Sequence, residues 1–318
     1  MDTNTCIFFA TDIHASTRCF KKFVNAAKYY KADVLVLGGD VTGKAMIPIV
    51  YWGSGRTIAY DSGQEVQLDT EAEITALESK AADAGSYTHR CSPEEFELLR
   101  GDKKCRTALF STLMRERMRA WVDLADDRLS GTGIRVFFNA GNDDGFEIDE
   151  IIDSSRVLQR PEGRCLEIDA FCTMISTGFT NLTPFRCPRD VSEVELERKI
   201  ADMAAEVPDA SRCIFNLHCP PYQSQLDNAP KLQDDLQPRM TAFGIDYAPA
   251  GSTAVRKAIE VHQPLLGLHG HFHESKGVAH IGRTLCINPG SEYHEGVLRG
   301  ALVQLTRGVI KNYTLTCG

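Results

Sequence analysis

Short apolar runs of strand type recur along the chain, and polar residues follow several of them directly. The run CIFFA at 6–10 is followed by TDIH, and the run DVLVL at 33–37 is followed by GGD. Between them, residues 17–30 carry apolar side chains at helical spacing. A strand, a helix and a second strand in this order predict a β-α-β unit, in which the two strands are parallel. The chain therefore begins as an α/β fold.

The polar residues fall where an α/β sheet binds its ligands. In such a sheet, the loops beyond the carboxyl ends of the strands converge on one site. Asp12, His14 and Asp40 lie in such loops. Asp12 and His14 are two residues apart, so both would point to one face if the strand continues through them. Taken singly, an aspartate at this position is more often a helix cap, and a loop histidine is more often simply solvated.

Three later segments repeat the pattern and change this balance. They are NAGNDD at 139–144, NLHCPPY at 216–222 and GLHGHFHES at 267–275. Each supplies oxygen or nitrogen ligands after an apolar strand, and a mixture of imidazole and carboxylate suits Mn²⁺, Fe or Zn²⁺ better than Ca²⁺. A series of five strand-end motifs of ligand type is hard to attribute to chance. The sequence therefore predicts a metal site.

In this order, the motifs D-x-H, G-G-D, G-N-(H)-D, H-x-P-P-Y and G-H-x-H resemble those of the calcineurin-like metallophosphoesterases. The resemblance runs from Asp12 to His273, and NPGS at 288–291 is similar to the closing turn of that family. The segments HCPPYQSQLD and GHFHES further resemble an Icc-like bacterial and archaeal branch of predicted phosphoesterases. Residues 41–131 match no motif of the family.

The resemblance implies a centre of two divalent metal ions, with Mn²⁺ favoured and Fe, Zn²⁺, Mg²⁺ or Ni²⁺ as alternatives. The first ion would be held by Asp12, His14, Asp40 and His273. The second would be held by Asp40, Asn142, His218 and His271, so that Asp40 bridges the two. The implied reaction is hydrolysis of a phosphoester through attack by a metal-bridging hydroxide. His269, although it lies in the same run, is expected to be a packed residue.

One position departs from the family pattern, because most members have a histidine where this chain has Asp143. That histidine can protonate the leaving oxygen or stabilise the phosphoryl group. An aspartate with an ordinary pKa of about 4 would be ionised at neutral pH and would repel an anionic phosphate. We therefore predict a preference for phosphodiesters, or for other substrates whose leaving group departs without help. Asp143 and Asp144 are the candidate catalytic residues, the second by holding the geometry of the loop.

The fold that the resemblance implies is α/β, a four-layer αββα sandwich of two mixed β-sheets flanked by helices. We expect one domain over residues 1–318, with an elaboration at about 41–131. In the elaboration, the alternating stretch 47–68 predicts a hairpin that turns at 53–55, and two helices follow, the second broken near Gly101. This elaboration could form a lid over the site or a contact in a homo-oligomer.

Later parts of the chain return to core-forming sequence. Strand patterns occur at 134–140, 165–169, 172–176, 212–217, 264–268, 284–287, 300–306 and 309–315. Helical patterns occur at 192–206 and 252–262. The end of the chain is therefore expected to be mostly β.

Composition limits the remaining classes of function. The chain carries a net charge of −8, which gives no general attraction for nucleic acid. Its eleven cysteines are scattered, with no CxxC pair, which argues against a disulfide framework. Neither a signal peptide nor a stretch long enough to span a membrane is evident. We expect a cytoplasmic enzyme that acts on a small phosphorylated substrate, possible candidates being nucleotide or lipid derivatives.

Two alternatives stay open. A scaffold protein that keeps the fold but has lost catalysis is conceivable because the histidine is missing, although the full ligand set argues against it. A nuclease would use the same chemistry, but residues 41–131 show no clustered basic and aromatic surface for a single strand.

Overall fold

Two six-stranded mixed β-sheets form the centre of the molecule in a computed structural model, which describes residues 4–53 and 55–318. The strands, in chain order, are β1 (Asn4–Ala10), β2 (Val34–Leu37), β3 (Met46–Tyr51), β4 (Thr57–Asp61), β5 (Gln64–Leu68), β6 (Tyr87–Cys91), β7 (Arg135–Phe138), β8 (Leu158–Gln159), β9 (Cys165–Glu167), β10 (Thr173–Thr177), β11 (Thr180–Asn181), β12 (Asp190–Val191), β13 (Cys213–Leu217), β14 (Asn228–Pro230), β15 (Met240–Thr241), β16 (Gly244–Ile245), β17 (Tyr247–Pro249), β18 (Leu266–Leu268), β19 (Gly277–Ile281), β20 (Thr284–Asn288), β21 (Arg299–Thr306) and β22 (Val309–Cys317). The α-helices are α1 (Thr17–Tyr29), α2 (Glu71–Asp83), α3 (Pro93–Gly101), α4 (Lys103–Leu129), α5 (Asp149–Asp153), α6 (Glu193–Ala204) and α7 (Thr253–His262).

Parallel strands make up the middle of each sheet. The first sheet has the order β22-β21-β1-β2-β7-β8, in which β1, β2, β7 and β8 are parallel. The second has the order β19-β20-β18-β13-β10-β9, in which β20, β18, β13 and β10 are parallel. Each sheet therefore gathers the carboxyl ends of several strands at one edge, as the β-α-β pattern of the sequence predicts.

The alternation of side chains along the strands produces four layers. On β1, Ile7 and Phe9 point into the space between the sheets, where they join a core that includes Ile214 of the second sheet. Phe8 points the other way, into a core shared with Phe23 of α1. The far face of the second sheet packs against α6 and α7. This order of helix, sheet, sheet and helix confirms the predicted sandwich.

Residues 41–131 form a smaller sheet and three helices on this body. The sheet has the order β5-β4-β3-β6, and β3 and β4 form the predicted hairpin, although Ser54 of its turn lies outside the described residues. The predicted break near Gly101 separates α3 from α4. Through Trp121, α4 stacks on Phe20 of α1 at 4.3 Å between ring centroids. Part of the elaboration therefore belongs to the main core, and we retain the prediction of a single domain.

Residues 228–249 contain two small antiparallel pairs, β14 with β17 and β15 with β16. The sequence analysis does not predict them, because strands of two or three residues are too short to show a period. In the part of the chain that the structure describes, no helix is both long and apolar enough to cross a membrane. All eleven cysteines are free thiols.

Candidate metal centre

The predicted ligands lie together where the strand ends of the two sheets meet. By strand, they are Asp12 and His14 after β1, Asp40 after β2, Asn142 after β7, His218 after β13, and His271 and His273 after β18. Backbone hydrogen bonds join the loops that carry them. The Asp12 N–H donates to Gly39 O at 2.9 Å, and the Gly270 N–H donates to His218 O at 2.9 Å. The site is therefore built on tied loops at the end of a rigid core.

Several of these residues have left-handed backbone conformations. The φ angles are 53° at Asp12, 37° at His14, 50° at Asp40 and 68° at His271. Such conformations in residues other than glycine cost about 1–3 kcal/mol each and concentrate at functional sites. They also correct one expectation, because β1 ends at Ala10 and does not continue through Asp12 and His14. Those two side chains converge through a sharp turn, rather than through strand alternation.

Asp12, His14 and His273 form the first ligand group, with candidate atoms all within 4.8 Å of one another. His273 Nε2 lies 3.4 Å from Asp12 Oδ1 and 3.1 Å from His14 Nε2. His14 Nδ1 lies 3.2 Å from Thr42 O, which fixes the proton on Nδ1 and leaves Nε2 with its lone pair. Burial lowers the pKa of His14 to about 4, so its imidazole is neutral, as a metal ligand must be.

Asp40, His218 and His271 form the second ligand group on the same distance criterion, within 4.8 Å. His218 Nδ1 lies 3.2 Å from Gly38 O, and its Nε2 lies 3.4 Å from Asp40 Oδ1. The other oxygen, Asp40 Oδ2, lies 3.8 Å from His14 Nε2 in the first group. Asp40 therefore offers one oxygen to each group.

The electrostatics of the site favour a bound cation. Burial lowers the pKa of His271 to about 4. Burial also disfavours the charged form of His218, but Asp40 and Asp12 outweigh it and raise the pKa of His218 to about 9. The two buried carboxylates therefore draw positive charge toward themselves, and a divalent ion would supply it in place of the proton.

Unpaired polar atoms show that the donor set fits metal ions. His218 Nε2 and Asn142 Oδ1 are buried and have no hydrogen-bond partner within the described ranges. Leaving such atoms unpaired costs about 1–3 kcal/mol each. Bound metal ions would satisfy both atoms, and would also separate the two imidazole lone pairs of His14 and His273. The Asp and His groups could therefore hold divalent metal ions.

Asp144 holds together two of the loops that carry the predicted ligands. Asp144 is fully buried and accepts hydrogen bonds from the N–H groups of Thr42 at 2.8 Å and Gly141 at 2.7 Å, among others. It thereby ties the loop after Asp40 to the loop that carries Asn142. Asp144 is not among the described lining residues of the cleft, and the loop-holding role expected for it stays a prediction.

Asp190 performs a similar function for Asn142, and the sequence analysis did not single it out. The Asn142 Nδ2 group donates to Asp190 Oδ1 at 3.0 Å, and Asn142 Oδ1 is buried without a hydrogen-bond partner among the described residues. The other oxygen of Asp190 accepts from Thr183 Oγ1 at 2.5 Å and from the Cys187 N–H at 2.9 Å. No strand-end pattern marks Asp190, so its role is visible only in the fold.

Asp143 faces the ligand groups and is paired. Candidate atoms of His14, Asp40 and Asp143 lie within 4.8 Å of one another. The Asp143 carboxylate forms an ion pair with Lys44 and accepts from Cys187 Sγ at 2.7 Å. Lys44 was likewise missed by the sequence analysis. His269, by contrast, is buried with Nδ1 2.7 Å from Leu217 O and joins neither group, as a packed residue would.

A cleft of about 650 Å³ opens beside the ligand groups. Asp40, His271 and His273 line one end. The walls are largely apolar and come from residues 181–187 on one side and 229–250 on the other. Leu182 and Phe185 are 66% and 63% exposed there. A lid was one of the two roles left open for residues 41–131, and of that segment Lys44 alone is among the described lining residues of the cleft.

Sequence comparisons find a relative that matches part of the chain. No protein-family model matches the chain. An uncharacterised protein of Methanocaldococcus jannaschii, MJ1162, is 28% identical over 117 residues, which are 36% of this chain and 46% of that protein. The aligned part thus spans less than half of that relative.

Solved structures match nearly the whole chain. The protein TT1561 of Thermus thermophilus aligns over 99% of both chains, with 14% identity and a TM-score of 0.52. A second structure covers 99% of this chain and 98% of its own, with 15% identity and a TM-score of 0.55. Together with the layer order, these matches show the fold, which is the four-layer αββα sandwich expected of a calcineurin-like phosphoesterase.

Proposed function

We propose that this protein is a phosphoesterase that works with two divalent metal ions. The observation that carries the proposal is the pair of ligand groups that meet at Asp40, one oxygen of which faces each group. Asp12, His14 and His273 would hold one ion, and Asn142, His218 and His271 would hold the other. Mn²⁺ is the ion that we favour, with Fe, Zn²⁺, Mg²⁺ and Ni²⁺ as alternatives.

Two ions at such a site lower the pKa of water and polarise the oxygens of a phosphoryl group. The rest of the work falls to the protein. The carbonyl groups of Thr42 and Gly38 orient the imidazoles of His14 and His218. Asp190 orients the amide of Asn142. These fixed contacts support a preorganised site, which needs little rearrangement during the reaction.

The structure changes the reasoning behind the expected preference for phosphodiesters. The repulsion between Asp143 and a phosphate dianion is reduced, because the ammonium group of Lys44 neutralises the Asp143 carboxylate. The leaving-group argument keeps its force, since no imidazole stands at position 143 to protonate the departing oxygen. We propose that the substrate is a phosphodiester, or another ester whose leaving group is a stable anion.

The cleft supports an organic substituent of appreciable size. Its volume of about 650 Å³ greatly exceeds what a phosphate group alone would need. Leu182 and Phe185 on one wall and Leu236 on the other expose apolar surface beside the ligand groups. An aromatic or acyl group attached to the phosphate would cover this surface.

Hydrolysis of bis-p-nitrophenyl phosphate and p-nitrophenyl phosphate, with Mn²⁺ added, tests the proposal. We expect the diester to be cleaved faster, and Asp40→Asn to lower turnover by at least about 10³-fold, because it disturbs both ions at once. A chelator should abolish activity, and added Mn²⁺ should restore it. Asp202→Asn, which changes an exposed aspartate on α6, is the matched control and should behave like the wild type.

Three results would each count against a different part of the proposal. Activity that survives Asp40→Asn would show that the measured hydrolysis comes from elsewhere. Stoichiometric metal binding with no turnover of either ester would favour the scaffold alternative. Faster turnover of the monoester would leave the phosphoesterase assignment in place and refute the diester preference.

A further inference from the structure

The ammonium group of Lys44 pairs with Asp143 in the cleft beside the ligand groups. The residue after Asn142 is Asp143, so the chain places an acid where the resembled family has a histidine. Asp143 does not face the cleft alone, because its carboxylate forms an ion pair with the ammonium group of Lys44. The cleft therefore contains an ammonium group beside the carboxylate of Asp143.

The position of Lys44 is set by its loop. The N–H groups of Val41 and Thr42 donate to Asp144, which fixes the two residues after Asp40. The Gly43 N–H then donates to Tyr87 Oη at 2.9 Å. A Cβ at Gly43 would meet the carbonyl oxygen of Gly85 at 2.4 Å, so only glycine allows this close approach. The loop therefore delivers Lys44 to the cleft from a fixed base.

Asp143 is likewise fixed. Its N–H donates to Asp40 Oδ1 at 3.1 Å, and its carboxylate accepts from Cys187 Sγ at 2.7 Å. The Cys187 N–H is in turn held by Asp190 at 2.9 Å. The acceptor for Lys44 is thus connected to the same framework that orients Asn142.

The Lys44 side chain is 52% exposed and lines the cleft with Asp40, His271 and His273. Partial burial disfavours its charged form, but Asp143 and Asp40 outweigh that effect and raise the pKa of Lys44 above its ordinary value. An ammonium group has three N–H donors, so one can remain on Asp143 while others reach a ligand. Lys231, the other lysine of the described lining, is paired with Asp246 at 3.2 Å.

We infer that Lys44, anchored by Asp143, is a binding site for a phosphoryl oxygen of the substrate. The inference rests on the proposed phosphoesterase function and specifies how its site recognises phosphate. Lys44 would act as a positive charge that its ion pair with Asp143 holds in place, and not as the proton donor, because an ammonium group with the ordinary lysine pKa of about 10.4 is a poor general acid at neutral pH. Departure of the leaving group would then receive no protonation from this position.

Inorganic phosphate is the probe that tests binding separately from catalysis. We expect Lys44→Met to keep its metal content, measured by elemental analysis, and to bind phosphate at least about tenfold more weakly in calorimetric titrations of the metal-loaded protein. Lys44→Arg should bind phosphate within about threefold of the wild type, because it retains the charge. Lys257→Met, which removes an exposed lysine paired with Glu197, is the matched control and should change nothing.

Kinetics with a series of aryl phosphodiesters tests the role in the reaction. Lys44→Met should lower kcat/KM by about 10²-fold. It should do so equally for good and poor leaving groups, because no proton transfer is lost. A loss that grows as the leaving group becomes more basic would instead identify Lys44 as the general acid and overturn the inference.

Two further outcomes would also overturn it. Phosphate affinity of Lys44→Met within twofold of the wild type would show that the ammonium group does not contact the ligand. Loss of bound metal in Lys44→Met would show that the ion pair supports the metal site. If the wild type hydrolyses no ester but still binds phosphate through Lys44, the proposed function fails and the anion site stands.

Discussion

Asp190→Asn is the substitution that most directly tests how the second ligand group is assembled. The wild-type carboxylate accepts from Asn142 and Thr180 through Oδ1, at 3.0 and 3.2 Å. Through Oδ2 it accepts from Thr183 and Cys187, including both backbone N–H groups at 3.0 and 2.9 Å. The substitution keeps the shape of the side chain and turns one of the two acceptors into a donor.

The hydrogen-bond pattern decides which oxygen is replaced. An NH₂ group in place of Oδ2 would face the N–H groups of Thr183 and Cys187, which cannot accept. An NH₂ group in place of Oδ1 would face the Thr180 hydroxyl, which can accept, and would conflict with Asn142 alone. The second arrangement therefore prevails. While the Asn142 amide keeps its orientation, this arrangement loses one hydrogen bond to a charged group, worth about 1.5–3 kcal/mol of unfolding free energy.

The larger effect falls on metal affinity. Without Asp190 Oδ1 as acceptor, the Asn142 amide can turn its NH₂ group toward the ligand site, where it repels a cation. Loss of such an orienting contact typically costs about 10- to 100-fold in metal affinity. The expected result is a two-step Mn²⁺ titration in which one step keeps its wild-type affinity, while the other weakens by that factor.

Calorimetric Mn²⁺ titration of the chelator-treated protein measures both steps, and urea denaturation measures stability. Asp202→Asn serves again as the exposed control. Unchanged affinity in both steps, together with the predicted loss of stability, would show that Asp190 only holds the loop at 183–187. The reasoning about Asn142 would then be wrong.

Two further predictions concern the cleft wall and stability. Phe185→Ser should lower kcat/KM for bis-p-nitrophenyl phosphate about fivefold more than for methyl p-nitrophenyl phosphate, because removing exposed aromatic contact costs about 1 kcal/mol; equal losses would exclude Phe185 from substrate contact. Asp126→Asn should destabilise the protein by about 2 kcal/mol in urea at pH 7, since Asp126 accepts from the N–H groups of Arg156 and Val157. Burial works against the ionised form, but the hydrogen bonds from Ser155, Arg156 and Val157 outweigh it and lower the pKa of Asp126. The wild-type advantage should therefore be complete above about pH 5 and disappear as the pH falls below about 4; an advantage that is independent of pH would refute this account.

The sequence predicts the sheets and the convergence of ligands well, for a local reason. The stretches 7–10 and 213–217 are buried on both faces, so their apolar runs are continuous and bounded by polar residues. Parallel strands bring their carboxyl ends to one edge, so residues after Ala10, Leu37 and Leu217 meet whatever the intervening loops do. The expected convergence of these residues follows from parallel strands alone, whereas the set of seven metal ligands and its division between two ions is what the family resemblance implies.

The backbone conformation of the site cannot be predicted from strand patterns. Strand alternation is the simplest way to bring Asp12 and His14 to one face, and it proved to be the wrong one. The turn is instead stabilised from outside, by hydrogen bonds from Asp12 and His14 to the carbonyl groups of Gly39 and Asp40. Such contacts join separate strands, so no local pattern in the residues around Asp12 reveals them.

The effect of Asp143 on phosphate binding depends on Lys44 and Asp190, which are distant from it in the sequence. The sequence shows a loss at position 143, while the groups that answer it lie about one hundred and about fifty residues away along the chain. Lys44 supplies charge to Asp143, and Asp190 holds Cys187, which also contacts Asp143. An isolated Asp143 would oppose phosphate, whereas the paired one positions a cation for it. Asp143 can therefore weaken or strengthen phosphate binding, and its neighbours in the fold determine which effect it has.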